Sequence, residues 1–133
     1  MSRKFSVKVA VAVIYDDQHR VLITQRPLHA AHGGMWEFPG GKLEAEELPS
    51  SALIREVKEE VSIDILDYSF LEEITHDYGH KIVHLLVFNV KRFCGEAVKC
   101  ESQLDLRWVA VNQLTNYSFP EANSKIIELI NKI

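Results

Sequence analysis

The sequence predicts an α+β fold, and three observations carry that prediction. Apolar runs rich in valine and other β-formers, such as Ser6 to Tyr15 and Lys81 to Val90, read as buried strands. Two segments, Pro49 to Val61 and Pro120 to Lys132, place their apolar residues on a helical spacing. Strands and helices are mixed in a mostly antiparallel order, with no repeat, linker or low-complexity tract.

In chain order, Ser6 to Tyr15 is the first strand. Asp16-Asp17-Gln18-His19 is a turn. Val21 to Gln25 is a second strand, expected to form a hairpin with the first. Arg26-Pro27 ends it, and Leu28 to Met35 reads as a loop. Trp36 to Phe38 is a short strand entering a glycine loop, Pro39-Gly40-Gly41-Lys42, with little side-chain bulk to keep a ligand away. The first helix follows from Pro49, a residue suited to a first turn, although Leu48 is a poor cap. Ile63 to Thr75 is mostly extended, and Asp77-Tyr78-Gly79-His80 is a hairpin turn. Lys81 to Val90 is the strongest strand, Lys91 to Gln103 a polar loop, and Leu104 to Val111 a strand carrying Trp108. The last helix carries Ala122, Ile126, Ile127 and Ile130 on one spacing.

With 133 residues, the chain is expected to form a single domain over residues 1–133. A net charge of −4 argues against binding a nucleic-acid polymer, though not against a nucleotide whose phosphates a metal screens. Cys94 and Cys100 suggest no disulfide framework. The run Val7 to Tyr15 follows the basic Met1-Ser2-Arg3-Lys4, which raises the question of a leader. It lacks a small-residue cleavage site, stops at Asp16-Asp17 and is too short to span a membrane. The expectation is a cytoplasmic protein, monomer or homodimer, without a membrane partner.

The chemistry concentrates between Gly41 and Ile63. On a helix from Pro49, Glu56, Glu59 and Glu60 fall within about 100° of arc, beside an apolar arc of Leu53, Ile54, Val57 and Val61. Like charges at these spacings repel, and Arg55 can pair with only one or two of them. The bland reading is a solvated acidic face. The chemical reading is a divalent cation: magnesium takes hard oxygen ligands and bridges carboxylates to phosphates.

Gly41, Glu47, Arg55, Glu56, Val57, Glu59, Glu60 and Ile63 stand in the register of the Nudix box. The chain therefore resembles the Nudix hydrolases, with one departure: Ser62 stands where the family has glycine, so the turn after the helix is expected to be strained. The resemblance implies a mixed sheet between helices, an α/β/α sandwich. It also implies hydrolysis of a nucleoside diphosphate linkage with Mg2+ or Mn2+. The metal ligands would be Glu56, Glu59, Glu60 and the Gly40 carbonyl, with Glu47 and Arg55 bracing the loop against the helix. The general base would come from the box or from a distant loop, where Glu96, Glu101 and Asp105 are candidates. Glu101 is favoured, as base and metal ligand.

Outside the box the chain is similar to the MutT-type members that hydrolyse 8-oxo-dGTP. Thr24-Gln25-Arg26, Tyr78 and Phe119-Pro120-Glu121-Ala122-Asn123 carry that likeness. It implies Arg26 near the purine, Tyr78 packed by the base and Asn123 hydrogen-bonded to the oxidised guanine. Phe38 is a candidate for the base pocket or the core. Gly41 and Lys42, with Lys81, are candidates for contact with substrate. His29, His32, His76, His80 and His84 show no metal-ligand spacing. Two alternatives remain. Trp36-Glu37-Phe38 and Ile82-Val83-His84-Leu85 also resemble enzymes that cleave CTP and modified pyrimidine triphosphates. A Nudix-fold binding module without catalysis is a further class, against which the full set of box carboxylates argues.

Overall fold

The computed structural model describes residues 5–132. The basic start Met1 to Lys4, considered above as part of a leader, lies outside the described residues. The elements are β1 (Phe5–Ile14), β2 (Arg20–Gln25), β3 (Trp36–Glu37), β4 (Gly40–Lys42), α1 (Pro49–Val61), β5 (Asp64–Asp77), β6 (Lys81–Cys94), β7 (Asp105–Ala110), a 3-10 turn (Val111–Asn116) and α2 (Glu121–Asn131). Four strands form a mixed sheet in the order β4-β1-β6-β5, and three form a second sheet, β3-β2-β7.

β1 is central because both of its faces are apolar, the pattern of a strand covered on two sides. Val11, Val13 and Tyr15 enter one core with Val21, Ile23, Trp36, Phe38 and the apolar face of α2. Ala10, Ala12 and Ile14 enter the other with Leu22 and with Ala52, Leu53, Val57 and Val61 of α1. The layers are therefore helix, sheets, helix, the sandwich that the resemblance implied. β1 runs parallel to β6, from Phe5 opposite Lys81 to Ile14 opposite Val90.

Four details differ from the sequence reading. Among the described residues β1 and β2 form no hairpin ladder; an isolated bridge, Tyr15 to Val21, stands in its place. Asp16 turns the chain by accepting the N–H groups of Gln18 at 3.0 Å and Arg20 at 2.8 Å, and β2 then leaves to pair with β3 and β7. The glycine loop is itself a short strand: Val9, Ala10 and Val11 pair with Lys42, Gly41 and Gly40. Tertiary pairing overrides the poor strand propensity of glycine here. β6 continues four residues past Val90, because Arg92, Phe93 and Cys94 find partners in Asp67, Ile65 and Asp64. Ile54, expected on the apolar arc of α1, is 40% exposed, and Ala52 takes its place in the core.

α1 begins without a side-chain cap, since Leu48 offers none. It ends at Ser62, which adopts φ 64° and ψ 24°, the left-handed conformation in which glycine is least strained. The departure from the box thus falls at the position where a Cβ carries a cost.

Candidate active site

Pro39-Gly40-Gly41 passes between β1 and α1 with no room for side chains. The Pro39 carbonyl accepts the Ala12 N–H at 2.8 Å. Gly40 has φ 153°, and a Cβ there would run into the carbonyl oxygen of Ala10. A Cβ on Gly41 would fall on the carboxylate of Glu56. Two successive glycines therefore let the strand lie flush against the acidic face of α1.

Arg55 braces this arrangement: of the three helix carboxylates it meets two, Glu56 and Glu59, and it pairs with Glu47 as expected. Its Nε and Nη2 donate to the two oxygens of Glu47, at 2.9 and 2.8 Å. Nη1 donates to Glu56 at 2.7 Å, and lies 3.6 Å from Glu59 and 3.8 Å from Glu44. Nη2 also reaches the Lys42 carbonyl at 3.3 Å. The guanidinium fork pairs two-to-two with Glu47. That hydrogen bonding, with the Glu44 N–H, holds the Glu47 carboxyl down at about 2. Glu47 is consequently ionised at any working pH, and it ties the loop after β4 to α1.

Glu60 is the unusual group. It is partly buried and accepts the Gly40 N–H at 3.3 Å. Burial pushes its carboxyl up to about 8, and the charges of Glu37 and Glu56 add to that, against the opposing Gly40 N–H and Arg26. Glu37 was not among the site residues expected from the sequence. It lies 2.7 Å from Arg26 Nη1, and Arg26 Nε donates to the Ala31 carbonyl at 2.7 Å. Glu59 points outward, 61% exposed.

A cavity of about 390 Å³ opens beside these groups. It brings together Arg26, Gly40, Gly41, Lys42, Glu60, Tyr78 and Asn123 from the expected set. Glu37, His32 and Lys81 also line it, and Val9, Val83 and Leu85 supply apolar surface. His32 has φ 55° and packs against the ring of Tyr78 at 5.4 Å between centroids. His32 is exposed at the rim of the cavity. The signal that could have found it is its loop, which Arg26 folds back on itself between two strands.

Glu47, Arg55, Glu56 and Glu59, on α1 and the loop before it, are not in the lining, and Phe38 and Glu101 lie elsewhere. Phe38 is 4% exposed and stacks on Phe119 at 5.4 Å, in the core behind the cavity and outside its lining. Glu101 is exposed on the turn before β7, also outside the lining. The buried side chain of that turn is Gln103, 7% exposed, whose Oε1 accepts the Cys100 N–H at 3.1 Å.

Among the described residues, no three His, Cys, Asp or Glu side chains are drawn into a closed metal cage. The donor set nonetheless suits a hard divalent cation. Glu56 fills the cradle left by Gly41, Glu60 faces Gly40, and Glu37 and Glu56 together hold the Glu60 carboxyl up despite Arg26 and the Gly40 N–H. Lysines stand along the same cavity. Carboxylates suited to a cation, beside ammonium groups suited to an anion, are what hydrolysis of a phosphate anhydride requires. Comparison with known proteins agrees. A NUDIX domain model matches residues 10–129, and the chain belongs to that family.

It is thus a Nudix hydrolase, a pyrophosphohydrolase of small nucleotide substrates, and Nudix hydrolases generally use divalent metal ions. It is 42% identical over 96 residues to the 8-oxo-dGTP diphosphatase of Proteus vulgaris, covering 72% of this chain and 86% of that protein. It is 30% identical over 118 residues to the CTP pyrophosphohydrolase of Escherichia coli K12, covering 89% and 87%. Among solved structures it is similar to a MutT from work on the Aliivibrio salmonicida and Vibrio cholerae proteins. That match has a TM-score of 0.82 and 32% identity, covering 94% of this chain and 96% of the other. Among the described residues no helix is long and apolar enough to cross a membrane.

Proposed function

We propose that the protein hydrolyses 8-oxo-dGTP, and dGTP more slowly, to the nucleoside monophosphate and pyrophosphate, removing an oxidised precursor from the nucleotide pool. The observation that carries this reading is the one cavity that has Glu60, Gly40 and Gly41 in its wall together with Tyr78 and Asn123. The carboxylates suit the cation and phosphates; the amide and aromatic suit a purine. The Asn123 amide both donates and accepts, which fits an edge carrying a carbonyl beside an N–H. A wrong base would leave those polar groups unpaired.

Glu56, Glu60 and the Gly40 carbonyl would hold Mg2+ or Mn2+, which when bound supplies positive charge against the phosphates. Glu47 and Arg55 keep the glycine strand in place. Lys42 and Lys81 meet phosphate oxygens. Water attacks phosphorus, the α–β anhydride bond breaks, and pyrophosphate leaves. A box carboxylate, Glu56 or Glu60, would take the water's proton; the exposed Glu101 would have to move to do so. We assign the activity to the cytoplasm, where a nucleotide substrate and the free thiols of Cys94 and Cys100 both belong.

The second reading, a pyrimidine triphosphate such as CTP, is favoured by the likeness to the CTP pyrophosphohydrolase. The test is pyrophosphate release with magnesium across dGTP, 8-oxo-dGTP, CTP and 5-methyl-dCTP. The reading expects kcat/KM for 8-oxo-dGTP to exceed the others by orders of magnitude. A pyrimidine in first place overturns the base assignment and leaves the phosphate chemistry standing.

A further inference from the structure

α2 begins without a cap of its own. Pro120 occupies the N-cap position and makes no side-chain hydrogen bond to the helix. The first N–H groups of a helix have no partners within it. A serine or aspartate at the cap usually satisfies one of them. Here the partner comes from the other end of the sheet: the phenolic oxygen of Tyr78 accepts the Ala122 N–H at 3.1 Å.

Two further contacts join the same elements. His76 Nε2 lies 3.0 Å from a carboxylate oxygen of Glu121, and Lys125 Nζ donates to the Thr75 carbonyl at 3.3 Å. The His76 ring packs edge-on against Tyr78, with centroids 4.4 Å apart, and fixes the phenol from the side. The end of β5 and the turn after it are thus fastened to the first turn of α2. Asn123 follows Ala122 directly and lines the cavity. The hydrogen bond that holds Ala122 therefore sets where the Asn123 amide stands.

We propose that Tyr78 is a specificity-positioning residue: its hydroxyl caps α2 and thereby places the Asn123 amide for base recognition. This deepens the proposed function and rests on Asn123 as the group that reads the base. The ring of Tyr78 lines the cavity, and its hydroxyl acts through the helix. Asn123 is held from the end of β5 and the turn after it, so recognition depends on a hydroxyl that is bonded to the helix.

Tyr78→Phe removes the oxygen and keeps the ring. The experiment is a double-mutant cycle of wild type, Tyr78→Phe, Asn123→Ala and the double variant, read as kcat/KM on the nucleotide that wild type prefers. Tyr78→Phe alone is expected to lower kcat/KM about fivefold to tenfold, the worth of one neutral hydrogen bond, with the loss in KM rather than kcat. In the Asn123→Ala background the same change is expected to cost less than about twofold. Amide exchange at Ala122 is expected to quicken by about tenfold in Tyr78→Phe while the unfolding midpoint moves little. Losses that multiply independently, or an unchanged kcat/KM in Tyr78→Phe, would overturn the proposal. The cycle is run on the preferred nucleotide whatever its base. A wild-type preference for pyrimidines therefore sinks the 8-oxo-dGTP reading, while the coupling still decides the role of Tyr78.

Discussion

Replacing Glu60 by glutamine should make the metal-free protein more stable while removing its capacity for a cation. In the fold the carboxyl is pushed up from 4.5 to about 8 by burial and by the charges of Glu37 and Glu56. Between those values the folded chain keeps a proton that the unfolded chain has released. Stability is therefore lost as pH rises through this window, and the loss is absent below it. One unit is worth about 1.36 kcal/mol. At pH 7 the window has been crossed for about two and a half units, so wild type forgoes about 3 kcal/mol, rising to about 5 kcal/mol above pH 8. Glutamine is neutral throughout, and its amide oxygen can still accept the Gly40 N–H.

Urea unfolding of both proteins in chelator, at pH 4.5, 7 and 8.5, reads the difference directly. Glu60→Gln should match wild type at the acid end and exceed it by about 3 kcal/mol at neutrality. Magnesium at ten times its dissociation constant should then raise wild type alone by about 1.4 kcal/mol. A variant that is less stable than wild type at neutral pH, or a difference that does not change with pH, would refute the electrostatic reasoning.

Three other outcomes follow from the same geometry. Gly41→Ala puts a methyl group onto the Glu56 carboxylate; kcat should fall about a hundredfold, as for a misplaced reacting group, with the fold retained by circular dichroism. Ser62→Gly relieves the left-handed residue at φ 64°; the unfolding free energy should rise by about 1 kcal/mol, and the melting temperature by about 3 °C, with kinetics unchanged. Asn123→Ala should cost kcat/KM for 8-oxo-dGTP at least about tenfold more than for dGTP, because only the oxidised base carries an N–H at N7 beside its C6 carbonyl, where guanine has two acceptors. Equal losses on the two nucleotides would count against that role.

The parts of the site that were legible in the sequence are those fixed by local spacing. An arginine and a row of carboxylates at helical intervals identify their own arrangement, because α1 places them without help from elsewhere. What escaped depends on distant pairing. Glu37 looks like one residue of a short strand until β3 is seen to bring it beside Arg26 and near Glu60. The pairing of Arg55 with Glu47 is expected, but Glu44, 3.8 Å from the same guanidinium, comes near only because the loop after β4 folds back onto α1. The expected β1–β2 hairpin fails because Asp16 turns the chain toward a different sheet, which periodicity cannot register. Phe38 could not be divided between pocket and core in advance, since its stacking partner Phe119 lies 81 positions along the chain.

The central claim is that this cavity selects an oxidised guanine. The most direct measurement is calorimetric binding of the product monophosphates 8-oxo-dGMP, dGMP and CMP in the presence of magnesium, which separates recognition from turnover. The account predicts that 8-oxo-dGMP binds at least about a hundredfold more tightly than either competitor. Equal affinities, or tighter binding of CMP, would contradict it.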